Sequence, residues 1–171
     1  MYDPSHCEFL VGDALKVATI AHRDQVRKDE FSTPFIYHPV MVMLKVARDT
    51  TNPVALATAL LHDVVEDTDA SIDSFPEEVK EYVEVLTARG EDKRLRKLEA
   101  VDDLGNCVSN IPILVKLADR LHNLESTPSK FDMYKESTEE LLYLAYARGL
   151  FDTFNCQDLR SIFNEIKNRN G

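Results

Sequence analysis

The sequence predicts an all-α protein. Apolar residues recur at helical spacing along most of the chain, and no stretch alternates with the period of a strand. Only five glycines and seven prolines punctuate the 171 residues. No linker or internal repeat is visible. The expectation is a single domain spanning 1–171, a helical bundle of eight or nine helices, with residues 155–171 as a C-terminal helix packed on the rest.

Residues 8–28 place Phe9, Leu10, Ala14, Val17, Ala18 and Ala21 on one stripe and predict the first helix. Asp29 to Pro34 reads as a loop. A second helix opens at His38-Pro39, since proline suits a first helical turn, and runs through Ala47. Asn52-Pro53 is a cap followed by a proline at the first helical position, starting a very apolar helix from Val54 to about Val65. Ser71 to Phe75 suggests a short helical turn, and Pro76 precedes a helix over Glu77 to Thr87. Gly90 separates it from a charged helix at 91–104. Ser109 to Glu125 follows, with Pro112 in its first turn, then Glu136 to Ala147 and Asp158 to Arg169.

Thirty acidic against twenty basic residues give a net charge of −10. That surplus argues against a nucleic-acid polymer, whose binding draws on Lys and Arg, and against an anionic membrane. A small anionic substrate stays open, because local charge can oppose net charge. Cys7, Cys107 and Cys156 are odd in number and widely spaced, as in a reduced chain. The N-terminus shows no basic stretch leading into an apolar run, and the apolar stretch Val54 to Leu61 is too short to span a bilayer. A cytoplasmic location is the expectation.

Chemistry concentrates in four places. His62-Asp63-Val64-Val65-Glu66-Asp67 crowds four titratable groups at the end of the apolar helix, with His62 and Glu66 expected on one face. A helix that apolar is buried, and burying such groups costs several kcal/mol unless they are paired or bound to a cation. Asp119, His122 and Asn123 share a second helix face, opposite Leu114, Leu117, Ala118 and Leu121. His38 precedes a proline, and Arg27-Lys28 ends the first helix with Arg23 one turn earlier. Taken alone, His38 reads as a cap and the basic pair as a complement to the helix dipole. Together, His38, His62, Asp63 and Asp119 make a nitrogen–oxygen ligand set without sulfur, suited to Mn²⁺, Fe²⁺, Zn²⁺ or Mg²⁺. The basic run Lys93 to Lys97 reads first as a solvated helix face, with a phosphate contact as the alternative.

His62-Asp63 with Glu66-Asp67, preceded by Arg27-Lys28 and by ThrProPheIleTyrHisPro and followed by LysLeuAlaAspArgLeuHisAsnLeu, resembles the HD-domain hydrolases of the RelA/SpoT type. Within that family the small stand-alone alarmone hydrolases, including the metazoan SpoT homologue, are the nearest in pattern. The resemblance covers about residues 14–126. It implies an all-helical fold, one Mn²⁺, and removal of the 3′-pyrophosphate from guanosine tetra- or pentaphosphate to give GDP or GTP and pyrophosphate. It places the metal ligands on His38, His62, Asp63 and Asp119, and the catalytic acidic pair on Glu66 and Asp67. Its nucleotide contacts fall on Arg27, Lys28 and Asn123. The stand-alone length implies hydrolysis without synthesis.

The sequence departs from the family in two places. Glu125 and Ser126 stand where an Arg and a Thr or Asp are common, and Ser32 stands where a Gly is usual. Glu66 and Asp67, one turn beyond the ligands, are placed to orient water or to shuttle protons. Two other readings keep the same residues: a phosphohydrolase for a different nucleotide, or a sensor that binds alarmone without turnover.

Overall fold

The computed structural model describes residues 7–27, 31–87 and 92–169, and within them every side chain except those of Cys7, Glu8 and residues 93–97. The described residues form nine α-helices with no sheet: α1 Cys7–Ala21, α2 Tyr37–Asp49, α3 Pro53–Leu61, α4 Val64–Asp67, α5 Glu77–Leu86, α6 Lys93–Asn106, α7 Ile111–Ser126, α8 Phe131–Ala147 and α9 Phe154–Arg169. A 3₁₀ turn, Pro128–Lys130, leads into α8. None of the described helices is long and apolar enough to cross a membrane.

Helix α3 lies at the centre, packed by α1, α2, α5 and α7. Asn52 starts it, its side chain accepting from Val54 N at 2.9 Å, and Pro53 follows. Every residue from Val54 to Leu61 but Leu56 is buried. Full burial of Leu60 and Leu61 contributes about 2 kcal/mol each. Two apolar clusters meet around this helix. One joins Val42 and Val46 of α2 to Leu117, Ala118 and Leu121 of α7 and to Leu159 and Phe163 of α9. The other joins Leu10, Ala14 and Ala18 of α1 to Leu60, Leu61 and Val64 and to Val79 and Val83 of α5.

Several boundaries differ from expectation. Helix α1 stops at Ala21, and the chain then folds back on itself: Arg27 N donates to Thr33 O at 2.8 Å and Phe35 N to Gln25 O at 2.9 Å. The apolar helix breaks at His62-Asp63 and resumes as α4, although Val64 and Val65 continue its periodicity. Ser71 to Phe75 forms a turn, closed by Phe75 N to Ile72 O at 3.0 Å, and not a helix. Helix α8 starts at Phe131, whose ring is buried, and α9 at Phe154. The early start of α9 has a distant cause. The Asp49 carboxylate of α2 accepts from Phe154 N at 2.7 Å, Asn155 N at 3.2 Å and Asn155 Nδ2 at 2.6 Å, satisfying amides that the helix itself leaves unpaired. Gly90 and Lys28 lie outside the described residues, as do the side chains of the basic run Lys93 to Lys97.

Candidate active site

The break between α3 and α4 makes the site. His62 closes α3 and Asp63 opens α4 with φ −100° and ψ −7°, which turns both side chains toward α2 and α7 instead of along one helix face. Helix α2 brings His38 and α7 brings Asp119. His38 Nε2 lies 3.3 Å from Asp63 Oδ2 and 3.2 Å from Asp119 Oδ1. His62 Nε2 lies 3.2 Å from Asp63 Oδ1 and 3.9 Å from Asp119 Oδ1. Both imidazoles are buried. Ligand atoms of His38, His62 and Asp63 fall within 4.8 Å of one another, with Asp119 alongside. All four residues expected to gather here do so.

The arrangement fits a divalent cation. His62 Nδ1 donates to Ala59 O at 2.7 Å, so its buried Nε2, which makes no aligned hydrogen bond, can present a lone pair to a cation once its proton is displaced. It faces two carboxylates, and the donor set of nitrogen and oxygen is one that Mn²⁺, Fe²⁺, Zn²⁺ or Mg²⁺ accepts. Without a cation the charges compensate one another. Burial works against charge on His62, yet the Asp63 carboxylate and then Asp119 outweigh it and push the imidazole up to about 9. Asp63 and Asp119 are driven down despite burial, Asp63 by His62 and His38, and Asp119 by Lys116 and the two histidines.

A cleft of about 280 Å³ opens over these groups. Glu66 lines it, and Asp67 follows, its carboxyl close enough to Asp63, Glu66, His62 and His38 to feel their charges and its backbone carbonyl accepting from Gln25 Nε2 at 2.8 Å. The Asp67 carboxyl is pushed up to about 6, by burial first and then by the Asp63 and Glu66 carboxylates. Arg27 sits at the rim and donates from Nη2 to Asn123 Oδ1 and to Ser126 Oγ, each at 3.1 Å. Arg23 does not join it and instead pairs with its neighbour Asp24. The two departures after Asn123 acquire definite partners. Glu125 pairs with Lys45 at 2.7 Å, and Ser126 holds Arg27 while donating to His122 O at 2.8 Å.

Sequence reasoning missed part of the lining. Lys116 pairs with Asp119 at 3.0 Å, an i,i+3 relation legible in the sequence. Lys130 and Tyr134 also line the cleft, and they left no signal because α8 begins earlier than its periodicity suggests. Arg120 is fully buried, donating to Tyr134 O, Ser137 Oγ and Thr138 Oγ1, and so ties α7 to α8. His122 packs against His38 and is held down to about 3, by burial and then by the nearby charges of His38, Arg27 and Lys45.

A histidine–aspartate pair joined by a second histidine and a second aspartate inside an all-α body fits the HD-type hydrolases that the sequence resembles. No family model matches the chain. Over 151 residues it is 38% identical to the guanosine-3′,5′-bis(diphosphate) 3′-pyrophosphohydrolase MESH1 of Drosophila melanogaster, covering 82% of each protein. It is 40% identical over 122 residues to the human protein of that name, the match spanning 66% of each. A guanosine-3′,5′-bis(diphosphate) 3′-pyrophosphohydrolase of Aquifex aeolicus is 32% identical over 164 residues, 89% of this chain and 23% of that one. The solved structure of a metazoan ortholog of SpoT, which hydrolyzes ppGpp and plays a role in starvation responses, aligns with a TM-score of 0.74 at 29% identity, over 100% of this chain and 98% of that one. The chain belongs to the MESH1 family of HD-type pyrophosphohydrolases.

Proposed function

We propose that this protein hydrolyses the 3′-pyrophosphate of guanosine tetra- or pentaphosphate, giving GDP or GTP and pyrophosphate, with one Mn²⁺ held by His38, His62, Asp63 and Asp119. The observation that carries the reading is the gathering of His38, His62, Asp63 and Asp119, with His38, Asp63 and Asp119 lining a cleft that Arg27, Lys116 and Lys130 also line. The named activity of the MESH1 relatives supports it. When bound, the divalent ion supplies a water of lowered pKa and charge stabilisation for a phosphoryl oxygen.

The chain's own residues do the rest. Glu66 and Asp67 are the catalytic acidic pair: between them they take a proton from the attacking water and return one to the departing 3′ oxygen of the ribose. Burial and the neighbouring Asp63 and Glu66 carboxylates hold Asp67 up at about 6, where it can carry or release a proton near neutral pH. Arg27 and Asn123 bind the nucleotide, the planar guanidinium suiting stacking on the base and the amide suiting a ribose hydroxyl. Lys28 follows Arg27 in the chain and takes a phosphate in this reading. Lys116, Arg120 and Lys130 line the same cleft and give it a positive local potential against a net charge of −10. The whole chain acts as one domain, α9 included, since α9 packs on α2, α7 and α8. The reading includes a cytoplasmic location.

The test is direct. The purified protein is incubated with guanosine tetraphosphate in Mn²⁺ or in chelator, and products are resolved by anion exchange. GDP and pyrophosphate appearing only with metal are expected. Orthophosphate release, or tight binding without turnover, overturns the reading in favour of another phosphohydrolase or a sensor.

A further inference from the structure

His38 is oriented by a second histidine. The Nδ1 atoms of His38 and His122 lie 2.8 Å apart in a buried contact, their rings tilted with centroids 4.9 Å apart. Two ring nitrogens at that distance share one proton, so one donates and the other accepts. The opposite nitrogen of His38, Nε2, is the one that faces Asp63 and Asp119. To bind a cation there it must present a lone pair, which puts the His38 proton on Nδ1 and makes His122 Nδ1 the acceptor. His62 meets the same requirement through a backbone carbonyl, that of Ala59, which can only accept. His122 can accept or donate, so its own tautomer decides whether His38 is competent.

We propose that His122 is a positioning residue of the metal centre, selecting the His38 tautomer whose Nε2 lone pair points at Asp63 and Asp119. The proposal rests on the metal reading above. It adds to the ligand set a residue that touches neither the ion nor the nucleotide. Asn123, next in sequence, performs a related task on Asp119, donating from Nδ2 to Oδ1 at 2.6 Å. One turn of α7 therefore carries both supports.

The test is a calorimetric titration of Mn²⁺ into wild type, His122→Phe, His122→Asn and His38→Ala. Phe keeps the ring volume but accepts nothing, whereas Asn can place an oxygen where Nδ1 lies. His122→Phe is expected to bind the ion about 10- to 100-fold more weakly and His122→Asn within about threefold of wild type. Unchanged affinity in His122→Phe overturns the proposal, and so does an equal loss in both variants. Absence of Mn²⁺ uptake by wild type, or full uptake by His38→Ala, overturns the metal reading itself and His122's role with it. A second measurement needs no variant. In Zn²⁺-loaded wild type, long-range proton–nitrogen NMR is expected to show a protonated Nδ1 on His38 and an unprotonated Nδ1 on His122. The reverse pattern overturns the proposal even if His122→Phe fails to fold.

Discussion

Arg27 and Asn123, far apart in sequence, are joined by a 3.1 Å hydrogen bond from the guanidinium Nη2 to the amide Oδ1. The other end of the same amide donates to Asp119. A cation at the rim and a carboxylate at the floor are thus held by two ends of one side chain. Asn123→Ala removes both bonds, leaving Arg27 on Ser126 and Asp119 on Lys116. Loss of a part-buried hydrogen bond to a charged group costs about 1–3 kcal/mol, so kcat/KM is expected to fall about 10- to 100-fold. Both constants should move, KM through Arg27 and kcat through Asp119. Steady-state kinetics in which KM alone changes would remove Asp119 support from the role of Asn123.

Ligands and acids should separate cleanly. His62→Ala and Asp63→Ala are expected to lose both the ion and turnover, since each removes a donor from a buried set. Glu66→Ala is expected to keep the ion and lose about 10²–10⁴-fold in kcat, the usual share of a proton-transfer group. Metal content by elemental analysis, beside kcat, checks this. Full activity with stoichiometric metal in either ligand variant refutes the assignment, and an unchanged kcat in Glu66→Ala takes that residue out of the mechanism.

Ion uptake should depend on pH. His62 is held up to about 9 without a cation, against an ordinary value of 6.5. Below about 9 the ion must displace that proton, so its apparent affinity is expected to fall by up to about tenfold per pH unit on acidification. The raised value also stabilises the metal-free fold. That contribution is full below 6.5 and is lost as pH rises through about 9. In chelator, the melting temperature should therefore decline over that interval. Titrations at several pH values and melts in chelator test both; an affinity independent of pH refutes the linkage.

Ser32 adopts φ +52°, in the left-handed region that favours glycine. The family's usual Gly at this position has its explanation in that angle. Its backbone lies in the fold-back that presents Arg27, next to the bond from Arg27 N to Thr33 O. Relief of the side-chain penalty of about 1–2 kcal/mol is offset in part by the entropy of an unfolded glycine. Ser32→Gly is expected to stabilise the protein by up to about 1 kcal/mol. A lowered melting temperature contradicts this.

How much of this was legible in the sequence depends on whether the cause was local. Helix α3 was readable because its cap, its proline and its apolar run act within a few residues. The break at His62-Asp63 was not, because Val64 and Val65 keep the helical period and the reason for the break is the pull of donors on α2 and α7. The overrun of α1 has a similar origin. Residues 22–28 carry no helix breaker, and the helix gives way to contacts from elsewhere in the chain: Gln25 Nε2 donates to Asp67 O and Val26 pairs with Pro34 across the loop. The four proposed ligand positions were readable as residue types in a known pattern. His122 was visible in the same pattern, but its task depends on a ring from another helix, which spacing along α7 cannot reveal.

The donors of the centre straddle the seam between the two apolar clusters. His38 and Asp119 ride on helices of the first cluster, while His62 and Asp63 follow Leu60 and Leu61 of the second. An ion bound there would be a rivet as well as a reagent, tying α2 and α7 to the end of α3, the helix that feeds both clusters. Loading then governs stiffness. Without one, only the pairing of His38 and His62 with Asp63 and Asp119 would hold the α3–α4 break against its neighbours, so substrate would meet a floor that gives under load.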